Sequence, residues 1–289
     1  MTIFNLGSIN ADIVYRLPHL PGPGETLAAT ELTRGLGGKG ANMSVAAARA
    51  AARVAHIGAV GEDGRWAVQR LTEYGVDTRH ITAVGDATGH AIIAVDDAGE
   101  NSIILYPGAN HAISEAAVCL ALAEAAPGDT LVLQNETNLQ GFTARTAREQ
   151  GLRVAYAAAP FDADAVMAVL PFLDFLILNA VEARQLQEAT GKSPNALGVA
   201  NVVITLGAQG CRWLAAGADP VEIPALPVEV VDSTGAGDTF TGYTLAALDR
   251  GMPMEQALRL ATKAAAIMVT RLGTADVIPD LKEVQSAEI

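Results

Sequence analysis

The run Asp232-Ser233-Thr234-Gly235-Ala236-Gly237-Asp238 carries the residue types and spacing best suited to chemistry in this chain. It stands directly before residues 239–250, which read as a helix. Two glycines let the backbone turn tightly, and a helix start leaves several N–H groups unpaired and aimed outward. Amides placed in this way form an anion site, and Asp238 sets a proton-accepting carboxylate beside them. The run therefore offers a general base together with an anion hole built from Gly235, Ala236 and Gly237. An aspartate capping an ordinary glycine turn has the same local pattern, so the rest of the chain must decide.

A second glycine-rich run, Gly35-Leu36-Gly37-Gly38-Lys39-Gly40-Ala41-Asn42, precedes an alanine-rich helix and contains G-x-G-x-x-G. A dinucleotide-binding turn would follow the first core strand and be answered by an acid about 20 residues on. Here that place holds Val60 or Gly61, with Glu62 only nearby. A Walker A loop is also excluded, because Gly40 follows Lys39 where Ser or Thr is required. The remaining use of Gly37, Gly38 and Asn42 is close approach of a polyol to the backbone, its hydroxyls held by main-chain groups and an amide side chain. Asn10 and Asp12 follow the first strand, and Glu136 lies just beyond another, on the carboxyl edge where open α/β sheets bind ligands. Jointly these residues describe a hydroxyl-rich sugar pocket.

The elements that must position them follow from hydrophobic pattern. Short β-rich runs bounded by turn residues recur at 3–6, 54–57, 130–133, 153–156, 175–178 and 202–205. Helical stretches lie between them at 41–52, 115–125, 143–150 and 181–190. This alternation predicts one α/β domain over 1–289, with a mostly parallel central sheet flanked by helices. Residues 12–34, with Pro18, Pro21 and Pro23, and residues 89–106, with a turn at Asp96-Asp97-Ala98-Gly99, read instead as β-hairpin insertions. Paired into a small separate sheet, they would make a lid over a substrate. The tail after Asp280 has too weak a pattern to assign.

Composition bounds the partners. No apolar run in the 289 residues approaches the ~18 to 20 needed to span a membrane, and Met1-Thr2-Ile3-Phe4-Asn5 lacks the basic and apolar regions of a secretory signal. A cytoplasmic protein without membrane partners is expected. A net charge of −13 with only 19 Lys and Arg repels polyphosphate and argues against nucleic acid. Cys119 and Cys211, and the histidines at 19, 56, 80, 90 and 111, lack metal-ligand spacing.

Taken in order, Gly-Ser-Ile-Asn-Ala-Asp at 7–12, Gly-Gly-Lys-Gly-Ala-Asn at 37–42, Gly-Ala-Asn at 108–110, Asn-x-x-Glu at 179–182, Thr-Leu-Gly-x-x-Gly at 205–210 and Gly-Ala-Gly-Asp at 235–238 span nearly the whole chain. This set resembles the ribokinase-like (PfkB) carbohydrate kinases. The resemblance implies an enzyme that transfers the γ-phosphoryl of ATP to the primary hydroxyl of a sugar, D-ribose first, with Asp238 as general base. A nucleoside or another sugar is the alternative acceptor, and an inactive sugar- or nucleotide-binding protein is the reading from a different class. The resemblance places Asn10, Asp12, Gly37, Gly38, Asn42 and Glu136 around the sugar. Asn179 and Glu182 fall where Mg²⁺ and phosphates are organised, and Thr205, Gly207, Gly210 and Gly237 where the nucleotide binds. Asp232, Thr234, Arg271 and Gly273 fall on loops that surround an activating monovalent cation such as K⁺. A homodimer through the lid is implied as well. Three stretches depart from the family pattern: Ala157-Ala158-Ala159-Pro160 replaces Asn-Pro-Ala-Pro, residues 192–200 are short for a helix, and Val277 stands where a small hydroxyl residue is usual.

Overall fold

The computed structural model describes residues 1–288. Strand β1 (Thr2–Leu6) lies in the middle of a sheet between β4 (Arg53–Val60) and β8 (Thr130–Gln134), both parallel to it. Beyond β8 come β9 (Arg153–Ala157), β10 (Phe175–Asn179) and β11 (Asn201–Thr205), again parallel. The antiparallel strands β12 (Cys211–Ala215) and β13 (Val221–Ile223) close that side, and β5 (Asp77–Ala83) closes the other. The order across this nine-stranded sheet is β13-β12-β11-β10-β9-β8-β1-β4-β5.

Both faces are covered, which is why the central strands read as continuous apolar runs. Alternate residues enter opposite cores: Ile3 and Val132 pack on one side, Phe4, Leu131 and Leu133 on the other. Helices α1 (Lys39–Arg49), α2 (Arg65–Glu73), α7 (Ala236–Asp249), α8 (Met254–Met268) and α9 (Leu281–Ser286) serve the first core. Helices α3 (Glu115–Leu122), α4 (Gln140–Glu149), α5 (Ala163–Val169) and α6 (Ala180–Thr190) serve the second. Among the described residues no helix is long and apolar enough to cross a membrane.

The two insertions pair as expected and extend slightly further. Strands β2 (Asn10–Arg16) and β3 (Glu31–Gly37) form one hairpin, β6 (Gly89–Val95) and β7 (Asn101–Tyr106) the other. They join through parallel pairing of β2 with β6 into a separate four-stranded sheet, β3-β2-β6-β7. The Arg34 guanidinium on this sheet stacks over the Trp66 ring of α2 at 4.6 Å, a cation–π contact between lid and body.

Several element boundaries differ from the sequence expectation. Helix α1 starts at Lys39 and ends at Arg49 rather than covering 41–52, because the glycine run itself supplies the helix start. Helix α4 starts three residues before 143. The tail after Asp280 forms α9, capped by the Asp280 side chain, which accepts from the Glu283 amide at 2.8 Å. Strands β5, β12 and β13, at or next to the sheet's edges, escape the apolar-run criterion because they are only partly buried.

Candidate active site

Asp238 lies in the first turn of α7, after Gly235 in the left-handed conformation at φ 78°. That φ suits glycine, and it turns the chain so that the helix opens toward the carboxyl edge of the sheet. Among the described residues no acceptor takes the Gly237 or Asp238 N–H groups. Of the three amides expected in the anion hole, one is otherwise employed: Ala236 N–H donates to Ser233 O at 3.2 Å within the turn. The expected Gly235 and Gly237 amides are thus left without an acceptor among the described residues, and the Asp238 amide joins them.

The Asp238 side chain is 7% exposed and accepts from Asn42 Nδ2 at 2.9 Å. Burial raises its pKa, opposed by the Lys39 ammonium and the Asn42 hydrogen bond. A carboxylate held above its ordinary range is the stronger proton acceptor. The oxygen of the same amide, Asn42 Oδ1, is buried with no partner among the described residues. Such an orphan acceptor is costly unless a donor arrives, and a ligand hydroxyl is a donor.

Two more carboxylates face the same space. Asp12, on β2, has its pKa raised to about 7 by burial, then by Glu136 and Asp238. Strand β3 passes so close that a Cβ on Gly37 would land on the Asp12 carboxylate, which explains glycine at 37. Glu136 accepts from the Ser8 hydroxyl and, at 3.0 Å, from the Lys39 backbone N–H at the start of α1. Its pKa is raised by burial against the opposing pull of Ser8 and Lys39. Asn10 Oδ1 accepts from Asn110 Nδ2 at 2.7 Å, leaving the Asn10 amide hydrogens available. The Lys39 pKa is raised, by Asp238 first and also by Glu136 and Glu182, so one ammonium stands in the field of the site's carboxylates. The arrangement offers acceptors for several hydroxyls, a base beside them, and a cation with free amides for anionic charge.

Beside α7 opens a cleft of about 410 Å³, lined by Thr205, Gly207, Gly210, Val228, Gly237 and Phe240 among others. Its size lies within the range of small-molecule sites, and its walls are largely apolar, as a heterocyclic base requires. Gly237 borders both this cleft and the unpaired amides, so the two compartments meet at the start of α7.

Asn179 and Glu182 are brought to the same edge, and their polar groups mostly serve the helix. Asn179 Oδ1 accepts from the Val181 and Glu182 amides at 2.9 Å each, and Glu182 Oε2 accepts from the Asn179 amide at 2.7 Å, a capping box on α6. Glu182 Oε1 and the Asn179 Nδ2 group remain to face a metal ion or phosphates. Burial raises the Glu182 pKa, and Lys39 and Asp238 both act on it, so it belongs to the site's electrostatics.

The Asp232 carboxylate ties two loops, accepting from Thr234 N–H at 2.9 Å and from Gly273 N–H at 3.2 Å. Three of the four residues expected around a monovalent cation thus meet. The Arg271 side chain turns away to Glu283 and the Val277 carbonyl. The carbonyl oxygens of Asp232, Thr234, Arg271 and Gly273 accept no hydrogen bond among the described residues, which fits a cation bound by main-chain oxygens.

Ser8, Lys39 and Asn110 were not singled out for the site, although all three stand inside quoted motifs. Their signal was positional: each is a polar residue directly beside glycine or alanine next to a strand end or helix start.

A family model described as pfkB family carbohydrate kinase matches residues 2–281. The ribokinase of Haemophilus influenzae is 37% identical over 296 residues, covering 98% of this chain and 96% of that protein. The crystal structure of ribokinase from Thermotoga maritima superposes with a TM-score of 0.87 at 31% identity, covering 99% of this chain and 98% of that one. The structure of Arabidopsis thaliana ribokinase complexed with ribose and ATP gives 0.86 at 29% identity, covering 98% and 97%.

Proposed function

This chain belongs to the pfkB family of carbohydrate kinases, and from that membership we propose the finer assignment: it phosphorylates D-ribose on its primary hydroxyl, using ATP, to give ribose 5-phosphate. The observation that carries the assignment is Asp238, buried and basic, beside unpaired amides at the start of α7. Phosphoryl transfer asks a protein for positioning, charge neutralisation and a proton acceptor, and this edge of the sheet supplies each.

Asn10, Asp12, Asn42 and Glu136 hold the sugar hydroxyls, with Gly37 and Gly38 letting the backbone approach. Asp238 takes the proton of the attacking hydroxyl, and the Gly237 and Asp238 amides with Lys39 receive the charge that develops on the transferred group. Thr205, Gly207 and Gly210 line the nucleotide cleft. Mg²⁺ bound with ATP supplies further charge neutralisation, and Glu182 Oε1 is the protein oxygen left to face it. K⁺ would be held by the carbonyls of Asp232, Thr234, Arg271 and Gly273, fixing the loop before α7 without touching substrate. Ribose is favoured because the relatives and solved structures cited above carry the name ribokinase, one of them solved with ribose and ATP. Two copies associate through the lid, whose Leu32, Ile103 and Ile104 are exposed apolar side chains.

ADP release measured across pentoses, hexoses and nucleosides, with and without K⁺, tests the assignment. D-Ribose should give the highest kcat/KM, and K⁺ should raise it. Preference for a nucleoside or hexose would overturn the substrate, and ribose binding without ADP release would overturn the activity.

A further inference from the structure

The chemistry at the sheet edge does not use His56, which sits on β4 in the core at 0% exposure. Burial lowers its pKa to about 4, so the ring is neutral at physiological pH, with one nitrogen donating and the other accepting. Its partners decide which. Nε2 is 3.0 Å from Gly7 O, which can only accept, so Nε2 carries the proton. Nδ1 must then accept from the Ser44 hydroxyl of α1, 2.8 Å away.

The direction propagates. Ser44 Oγ receives a hydrogen bond from Asn5 Nδ2 at 2.8 Å, and the Asn5 amide is oriented by its second donation, to Gly40 O at 2.7 Å. Asn5 Oδ1 accepts from Gln134 Nε2 at 2.8 Å. Donation therefore runs one way, from Gln134 on β8 through Asn5 on β1 and Ser44 on α1 to His56 on β4, and ends at the Gly7 carbonyl. Gly58 leaves room for it, since a Cβ there would stand 2.9 Å from His56 Nε2.

Each part of this network borders a residue of the sugar pocket. Gly7 precedes Ser8, whose hydroxyl donates to Glu136 and accepts from the Gly40 amide at 3.2 Å. Ser44 is one half-turn beyond Asn42, and Gln134 is two residues before Glu136. We propose that His56, Ser44, Asn5 and Gln134 form a positioning relay that holds the Gly7–Ser8 peptide and the start of α1, and so sets the distance between Glu136 and Asn42 that a sugar must bridge. The inference rests on the edge being a sugar pocket. None of the four residues is catalytic, and each acts through Ser8, Gly40 or Asn42.

The experiment uses the full chain, measuring ribose affinity by calorimetry and the KM values for ribose and ATP, all normalised to the folded fraction. His56→Leu should raise the ribose Kd and KM by ~10-fold or more, the scale on which small misplacements act, with the KM for ATP unchanged. His56→Gln, which keeps a donor toward Gly7 O, should recover most of the loss. Ser44→Ala removes a single hydroxyl, so it keeps the test available if His56→Leu does not fold, and it should weaken ribose in the same direction. The double variant should be little worse than His56→Leu alone, because both cut one chain of bonds. Ribose affinity unchanged in the folded His56→Leu or Ser44→Ala protein would overturn the relay and leave His56 a core histidine. Failure of the wild type to bind any sugar would instead overturn the pocket on which the relay depends.

Discussion

Asn42 Nδ2 donates to Asp238 Oδ2 across 2.9 Å, joining the first turns of two helices whose residues stand 196 positions apart. The contact ties a residue of the proposed sugar pocket to the residue proposed to remove the sugar's proton. Asn42→Ala would leave Asp238 buried without that donor, at a cost of about 1–3 kcal/mol. Because the bond lowers the Asp238 pKa, its loss should also move the acid limb of kcat to higher pH. Thermal melts and a pH–rate profile read the two effects separately; an unmoved limb would mean that Asp238 is not the titrating group.

Asp238→Asn removes the acceptor and keeps the shape. Turnover should fall at least ~10²-fold, the usual scale for a general base, while ribose affinity stays close to that of the parent. Stability should hold or rise, since folding no longer buries a carboxylate. Coupled ADP release and calorimetry check the first two effects, a thermal melt the third.

Asp12 links activity to pH with a defined sign. Its folded pKa of about 7 lies above the ordinary 3.8, so between those values the folded chain holds a proton that the unfolded chain has lost. Its contribution to stability therefore declines as pH rises through that window. Asp12→Asn should melt a few degrees above the parent at pH 8, the shift expected for ~1 kcal/mol in a chain of this size, and no higher at pH 4. In the parent, kcat/KM for ribose should fall below about pH 7 as Asp12 takes up its proton, and the same variant should lose that fall.

Gly37→Ala pushes a methyl group into the Asp12 carboxylate. The KM for ribose should rise by ~10-fold or more with the KM for ATP unchanged, because the displaced group is the one proposed to hold the sugar. Equal changes in both constants would point to a general disturbance of the lid.

Asp232→Ala unties Gly273 and Thr234 from one another. The half-activating K⁺ concentration should rise several-fold, while activity at saturating K⁺ falls less. Titrating K⁺ at fixed ribose and ATP decides this, and an unchanged titration would remove the cation from these loops.

The α/β class and the strands of the small separate sheet could be read before any coordinates from local pattern, as could the candidate residues Asn10, Asp12, Asn42, Glu136 and Asp238. The phosphate, nucleotide and cation residues followed instead from the family resemblance. Apolar runs of strand length name the central strands, glycine pairs before helices name the tight turns, and side-chain chemistry limits the work that Asp238, Asp12 and Glu136 can do. The edge strands β5 and β13 escape that pattern because partial exposure dilutes it. That the Ala236 amide is taken by Ser233 could not be read from the sequence, because the bond depends on the turn's actual course.

What needed the tertiary structure is which distant groups meet. Asn42 and Asp238, Asp12 and Gly37, and Gln134 with His56 through two intermediaries are pairings made by the crossing of elements, and no local spacing encodes them. The raised pKa of Asp12 arises in the same way, from water excluded and like charges assembled at one sheet edge. Residue types determined the chemistry available to this chain; folding decided the distances and the dielectric in which that chemistry operates, because both depend on neighbours that sequence order does not specify.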